Sequence, residues 1–236
     1  MPAPQLHIVF ALYPGVTHLD FTGPHQLLQR LPGARVTVAS VAGGQMEADG
    51  LTFAGLTPFA DIEGCDILCV PGGFGTADAM LDEPFMAQIR RLAEGATWVT
   101  SVCTGSLILA AAGLLTGRRA ACHWAWRDQL ALFGAIPDPA RVVRDGRYVT
   151  GGGVTAGIDF ALTLVAEIAG DDYAQGLQLA LEYAPAPPFN AGRPETAPPE
   201  VLARIQAFNA TRRGEREGAA EEAARRLKSA VIPAVA

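Results

Sequence analysis

The chain opens with an unbroken apolar run, LHIVFALY at 6–13, which stops at Pro14-Gly15. A run without polar alternation, ended by such a pair, predicts a strand buried on both faces. Similar segments return as ARVTVASV (34–41), DILCVPGG (66–73) and TWVTSVC (97–103). Between them the spacing becomes helical. FTGPHQLLQRL follows Asp20 and carries Gly23 and Pro24 at its expected start. EPFMAQIRRLAEG (83–95) closes on a glycine, and SLILAAAGLL follows Cys103-Thr104-Gly105 directly. Residues 43–64 read as irregular with short strands, and RRAAC, ending at Cys122, as one more short strand. RVVRDGRYVTGGG (141–153) predicts a hairpin turning at Asp145-Gly146. TAGIDFALTLVAEIAG (155–170) and DYAQGLQLALEYA predict two more helices. A proline-rich crossing follows at 184–199, then a helical tail.

Strands alternating with helices predict an α/β fold: a mostly parallel sheet sandwiched by helices. There is no internal repeat and no early break in composition. The expectation is one domain over 1–236, with 200–236 as a C-terminal helical extension. A chain of 236 residues, half of them apolar, buries roughly 70% of its unfolded surface and needs no staples. The net charge of −6 and the scattered lysines and arginines argue against a nucleic-acid partner. The first residues lack a basic stretch, which argues against a secretion signal, and no apolar stretch is long enough to cross a bilayer. Four cysteines without zinc-site spacing fit a reducing, cytoplasmic setting.

The chemistry centres on VTSVCTGSLILAAAGLL, where a strand turns at Cys103 into a helix. Such an elbow lifts the residue above the carboxyl ends of the strands. Amides at the helix start are then expected to favour its thiolate. Cys65, Cys69 and Cys122 read as inert core thiols. Asp20 is the best acid; its bland alternative is a helix N-cap. His7 and His25 lie inside predicted elements, and His123, beside Trp124 and Trp126, is either core or pocket wall. The amides of Gly72-Gly73 lack side chains in front of them and could approach a developing anion. Gly151-x-Gly153-x-x-Ala156 matches a dinucleotide fingerprint formally, but it follows a late hairpin, so no nicotinamide cofactor is expected.

On VPGGFG (70–75), SVCTGSLILAAAGLLTGRRA (101–120), His123-Trp124 and VTGGGVTAGIDFALTLV (149–165), the chain resembles the ThiJ/PfpI superfamily. LDFTGPH (19–25), SVCTGSL, GGGVTAGIDFAL and LEYAPAPPFNAG (181–192) are similar to its isocyanide hydratase branch. The likeness spans nearly the whole sequence. Many PfpI-type members carry Cys-His-Gly at the elbow; here it is Cys103-Thr104-Gly105, and Asp20 stands where many relatives place a glutamate. That departure argues against a cysteine-histidine peptidase.

The resemblance implies a flavodoxin-like, class I glutamine-amidotransferase-like fold. It implies hydration of an isocyanide to an N-substituted formamide through a thioimidate on Cys103, with Asp20 as acid and base. Thr104, Gly72 and Gly73 would stabilise charge through their amides. The glycine run at 151–153, Gly152 and Gly153 included, would let the following helix pack close behind the nucleophile. It further implies a small-molecule isocyanide substrate, no metal or organic cofactor, no membrane and a homodimer. Two alternatives stay open. One is a ligand-sensing protein like the sensor domain of transcription regulators, although the tail has no recognition-helix pattern. The other is a glyoxalase- or chaperone-like superfamily member.

Overall fold

The structure is a computed structural model and describes residues 6–231. The expectations for residues 1–5 and 232–236, the signal-peptide reading and the last residues of the tail, lie outside the described residues. An eight-stranded sheet has the order β3-β4-β2-β1-β5-β6-β10-β9. Its centre is the apolar strands read from the sequence: β1 (Leu6–Ala11), β2 (Ala34–Ser40), β5 (Ile67–Val70) and β6 (Trp98–Val102). These pair in parallel, with Phe10 opposite Cys69 and Val70 opposite Ser101. Ile8, Val9, Phe10, Ile67 and Leu68 are fully buried, as a strand covered on both faces requires.

The segment expected to be irregular is in fact a hairpin, β3 (Gly44–Ala48) and β4 (Leu51–Pro58). Asp49 and Gly50 form its turn at φ 51° and 81°. Asp-Gly suits that geometry because both turn positions need positive φ. β9 (Val142–Asp145) and β10 (Tyr148–Gly151) form the expected late hairpin, its turn one residue later, at Gly146-Arg147. RRAAC supplies only β7 (Arg119–Ala120), paired with β8 (Ile136–Pro137) in a small separate sheet.

The helices form two groups. α1 (His18–Leu28) packs on α5 (Ala156–Ala169), which carries α6 (Asp171–Ala180). α2 (Thr76–Leu81), α3 (Glu83–Gly95), α4 (Gly105–Ala111) and α7 (Pro199–Val231) form the other. Asp82 caps α3 by accepting from the Phe85 N–H. A 3-10 stretch, Arg127–Phe133, lies between β7 and β8 and contacts α4 and α7. The expected start of α1 needs correction. The helix begins at His18, so Asp20 lies in its first turn, and Pro24 sits inside the helix. α7 is a single 33-residue helix. Among the described residues no helix is long and apolar enough to cross a membrane.

Candidate active site

Cys103 occupies the junction of β6 and α4 with φ 58°, in the left-handed region. A side-chain-bearing residue there costs about 1–2 kcal/mol, which the surrounding pairing must offset. Its N–H donates to the Gly151 carbonyl at 3.0 Å, tying the elbow to β10. The turn closes because residue 105 is glycine: a Cβ there would lie 2.1 Å from the Val70 carbonyl oxygen. The thiol is 6% exposed.

Asp20 comes from the first turn of α1 and is 1% exposed. It is not a helix cap; Thr17 holds the cap position, and the Asp20 side chain turns inward. The Gly72 N–H donates to Asp20 Oδ2 at 3.0 Å. Asp20 Oδ1 is buried without a hydrogen-bond partner among the described residues. The carboxyl is a direct side-chain neighbour of the Cys103 thiol. Burial pushes it up to about 7, against the pull of the Gly72 amide and of the thiol.

Two expectations about amides need correction. The Gly72 N–H is engaged by Asp20, and the Gly73 N–H donates to Thr104 Oγ1 at 3.0 Å. Neither is free to receive charge from a substrate. Gly72 instead permits close approach: a Cβ there would sit 2.5 Å from the Thr104 nitrogen and 2.9 Å from Asp20 Oδ2. The Thr104 amide does point at the Cys103 sulfur and pulls the thiol down. The pull is outweighed. Burial first, and then the Asp20 charge, hold the thiol well above its ordinary range. The elbow amide alone therefore does not make the resting thiolate expected from the sequence.

Gly152 and Gly153 also play a different part. Added Cβ atoms there would meet only ordinary neighbours at 3.5 and 3.7 Å. The close helix contacts are made by Gly151, whose Cβ would lie 3.3 Å from the Ala156 carbonyl oxygen, and by Gly157, whose Cβ would lie 3.0 Å from Pro24 of α1. Gly152 and Gly153 line a cavity of about 690 Å3 with Cys122, His123, Trp124 and Arg127. It opens beside Gly151, the residue bonded to the Cys103 amide. His123 is thus pocket wall, held neutral because burial and then Arg216 push it down to about 4. Cys65, Cys69 and Cys122 are each pushed up to about 12 by burial, as inert core thiols should be.

Three side chains escaped the sequence reading. Tyr13 donates to the Pro71 carbonyl at 3.0 Å and meets Thr76 Oγ1 at 3.1 Å. Thr76 meets Thr104 Oγ1 at 2.7 Å, so a buried hydroxyl chain braces the 71–76 loop against the elbow. The third is Arg216 of α7, which donates to the Gly73 carbonyl at 3.1 Å. Its sequence signal was the helical stripe Arg216, Ala220, Ala223, Ala224, all buried. Among the described residues no cluster of three His, Cys, Asp or Glu side chains could hold a metal.

A profile of the DJ-1/PfpI family matches residues 6–167, from β1 into α5 and including both Asp20 and Cys103. The chain belongs to the DJ-1/PfpI family. Within this family it is 52% identical over 198 residues to an isonitrile hydratase of Pseudomonas putida, covering 84% of this chain and 87% of that one. A solved ThiJ/PfpI family protein from Pseudomonas syringae superposes with a TM-score of 0.88 at 42% identity, covering 93% and 90%. The transcriptional regulator CdhR of Pseudomonas aeruginosa is 30% identical over 184 residues, 73% of this chain but 52% of the regulator. The expected family and α/β architecture are thereby established for this chain.

Proposed function

We propose that this DJ-1/PfpI protein is an isocyanide hydratase that converts R–N≡C and water to R–NH–CHO. The observation that carries the reading is the Cys103–Asp20 pair: a thiol beside a buried carboxyl whose Oδ1 has no hydrogen-bond partner among the described residues. An isocyanide carbon needs both a nucleophile and a proton, delivered to the same atom. The pair supplies both. The similarity to an isonitrile hydratase supports the same assignment.

The pair works with one proton. Asp20 loses its proton near 7 while the thiol holds its own well above, so above about pH 7 the two groups share a single proton. In the tautomer that reacts, the sulfur is the anion and Asp20 the acid. The thiolate attacks the terminal carbon, and Asp20 protonates that carbon, giving the thioimidate R–N=CH–S–Cys103. Asp20, now a carboxylate, takes a proton from water as the hydroxide adds to the carbon, and passes it to the nitrogen. Collapse of R–NH–CH(OH)–S expels the thiolate, and Asp20 accepts the hydroxyl proton. The formamide leaves, and the pair again holds one proton. The Thr104 amide remains on the sulfur throughout.

The test is direct. The purified protein is incubated with an alkyl or aryl isocyanide, formamide is followed by NMR, and rapid-quench mass spectrometry locates any adduct. Formamide formation with an adduct on the Cys103 peptide supports the reading. No formamide from a folded protein, or formamide from Cys103→Ala at the wild-type rate, overturns it. Binding of the isocyanide without turnover would favour the ligand-sensing alternative.

A further inference from the structure

We propose that Arg216, carried into the site by α7, is a positioning residue that braces the 72–75 loop and supplies the positive charge facing the Cys103 thiolate. Its guanidinium donates through Nη2 to the carbonyls of Gly73 (3.1 Å) and Phe74 (3.4 Å). Trp126 lies beneath it, ring centroid 4.5 Å away. Arg216 is 6% exposed, and among the described residues no carboxylate lies within ion-pair distance of it. A buried cation without an acid is costly unless something else compensates it. The two carbonyls and the ring compensate in part. The groups it faces that can become negative are Cys103 first, then Tyr13 and Cys122.

Two lines of structure connect Arg216 to the nucleophile. The first runs through the loop. Arg216 holds the Gly73 carbonyl, the Gly73 N–H holds Thr104 Oγ1, and the Thr104 amide points at the Cys103 sulfur. The second is its field, acting between two buried groups, each 6% exposed. The groups facing the thiol there are Asp20 from α1, Tyr13 after β1, Cys122 after β7 and Arg216. Arg216 is the positive member of that set; also facing it are His123 of the cavity wall and Arg212, one turn away on the exposed side of α7, where it stacks on Phe74 at 4.6 Å. Residue 216 lies beyond the stretch matched by the family profile, 6–167. The site of this chain thus draws on a helix outside the matched domain.

The inference rests on Cys103 as the reactive group but not on which substrate it attacks, so its test uses alkylation. Wild type, R216M, R216K and the control R212M are treated with iodoacetamide across pH, and modification of the Cys103 peptide is followed by mass spectrometry. For R216M the midpoint should move up by about one pH unit, with alkylation about tenfold slower at pH 7. R216K, which keeps the charge, should lie nearer wild type, and R212M should match wild type. If R216M alkylates like wild type, or if R216K moves as far as R216M, the charge role is wrong. An equal effect of R212M would reduce it to general surface charge and overturn it as well. Should R216M fail to fold, R216K and R216Q, compared by the same profile, decide. An inactive hydratase whose thiol still responds to residue 216 would sink the proposed function and leave this inference standing.

Discussion

Replacing Asp20 with Asn should make the protein more stable and less active, by an amount that depends on pH. In the fold, burial raises the carboxyl from 3.8 to about 7. Between roughly pH 4 and 7 the native state therefore keeps a proton that the unfolded chain has lost. Native stability falls as pH rises through that window, and above 7 the whole penalty is present. Three pH units at about 1.4 kcal/mol each set an upper bound of about 4 kcal/mol. Asn can still accept from the Gly72 N–H, but its amide nitrogen must also be buried, so a net gain of about 2 kcal/mol at pH 8 is expected. For a chain of this size that raises Tm by about 4–8 °C. Near pH 4 the gain should vanish. Thermal denaturation of both proteins at pH 4.5 and pH 8, with kcat/KM for an isocyanide at pH 8, is the assay. Activity should drop at least about a hundredfold, the usual scale for a lost acid–base group. A Tm difference that is the same at both pH values, or a less stable variant at pH 8, would refute the buried-carboxyl reasoning. Retained activity would return Asp20 to a structural part.

Three further outcomes are expected. Cys103→Gly should be more stable than Cys103→Ala by about 1 kcal/mol in denaturant titration, because only glycine adopts φ 58° without strain, and both should be inactive. Gly72→Ala should lose most activity and at least about 1 kcal/mol of stability, since its Cβ would collide with the Thr104 backbone and Asp20 together; a wild-type-like variant would show that the loop can move aside. Mild peroxide should oxidise Cys103 before Cys65, Cys69 or Cys122, with activity lost in step, because only Cys103 has a carboxyl beside it, Asp20, that can take up the thiol proton; peptide mapping that finds Cys122 modified first would contradict this.

The parallel centre of the sheet was legible because four apolar runs had no competing period, and the elbow because Cys103 stands where one of them meets a helix. The β3–β4 hairpin was not, although Asp49-Gly50 carries the same turn signal as Asp145-Gly146. Its strands are half exposed and broken by Gly55, so neither strand pattern was strong. Asp20 was legible as a candidate and its helix start was not, since Thr17 makes no side-chain cap bond to mark the boundary. The amides of Gly72 and Gly73 were visible as unobstructed donors. That both were already engaged follows from contacts 52 and 31 residues away, which local pattern cannot supply. Arg216 had a weak signal, the stripe it shares with Ala220, Ala223 and Ala224. Along the sequence it is one charge among many in a mixed tail, and only the docking of α7 makes it buried.

The bond from the Cys103 N–H to the Gly151 carbonyl also orders events in time. β6, which runs directly into Cys103, is flanked by β5 before it and by β10 after it in the chain. During synthesis the elbow cannot be held in its left-handed form until residue 151 has emerged and paired. Until then Cys103 sits in flexible chain as an ordinary thiol, apart from the buried surroundings and the Asp20 neighbour that set its reactivity. A growing polypeptide therefore carries Cys103 without the pairing that shapes its elbow. The buried setting of that sulfur comes into being with the completed sheet and disappears with it on unfolding.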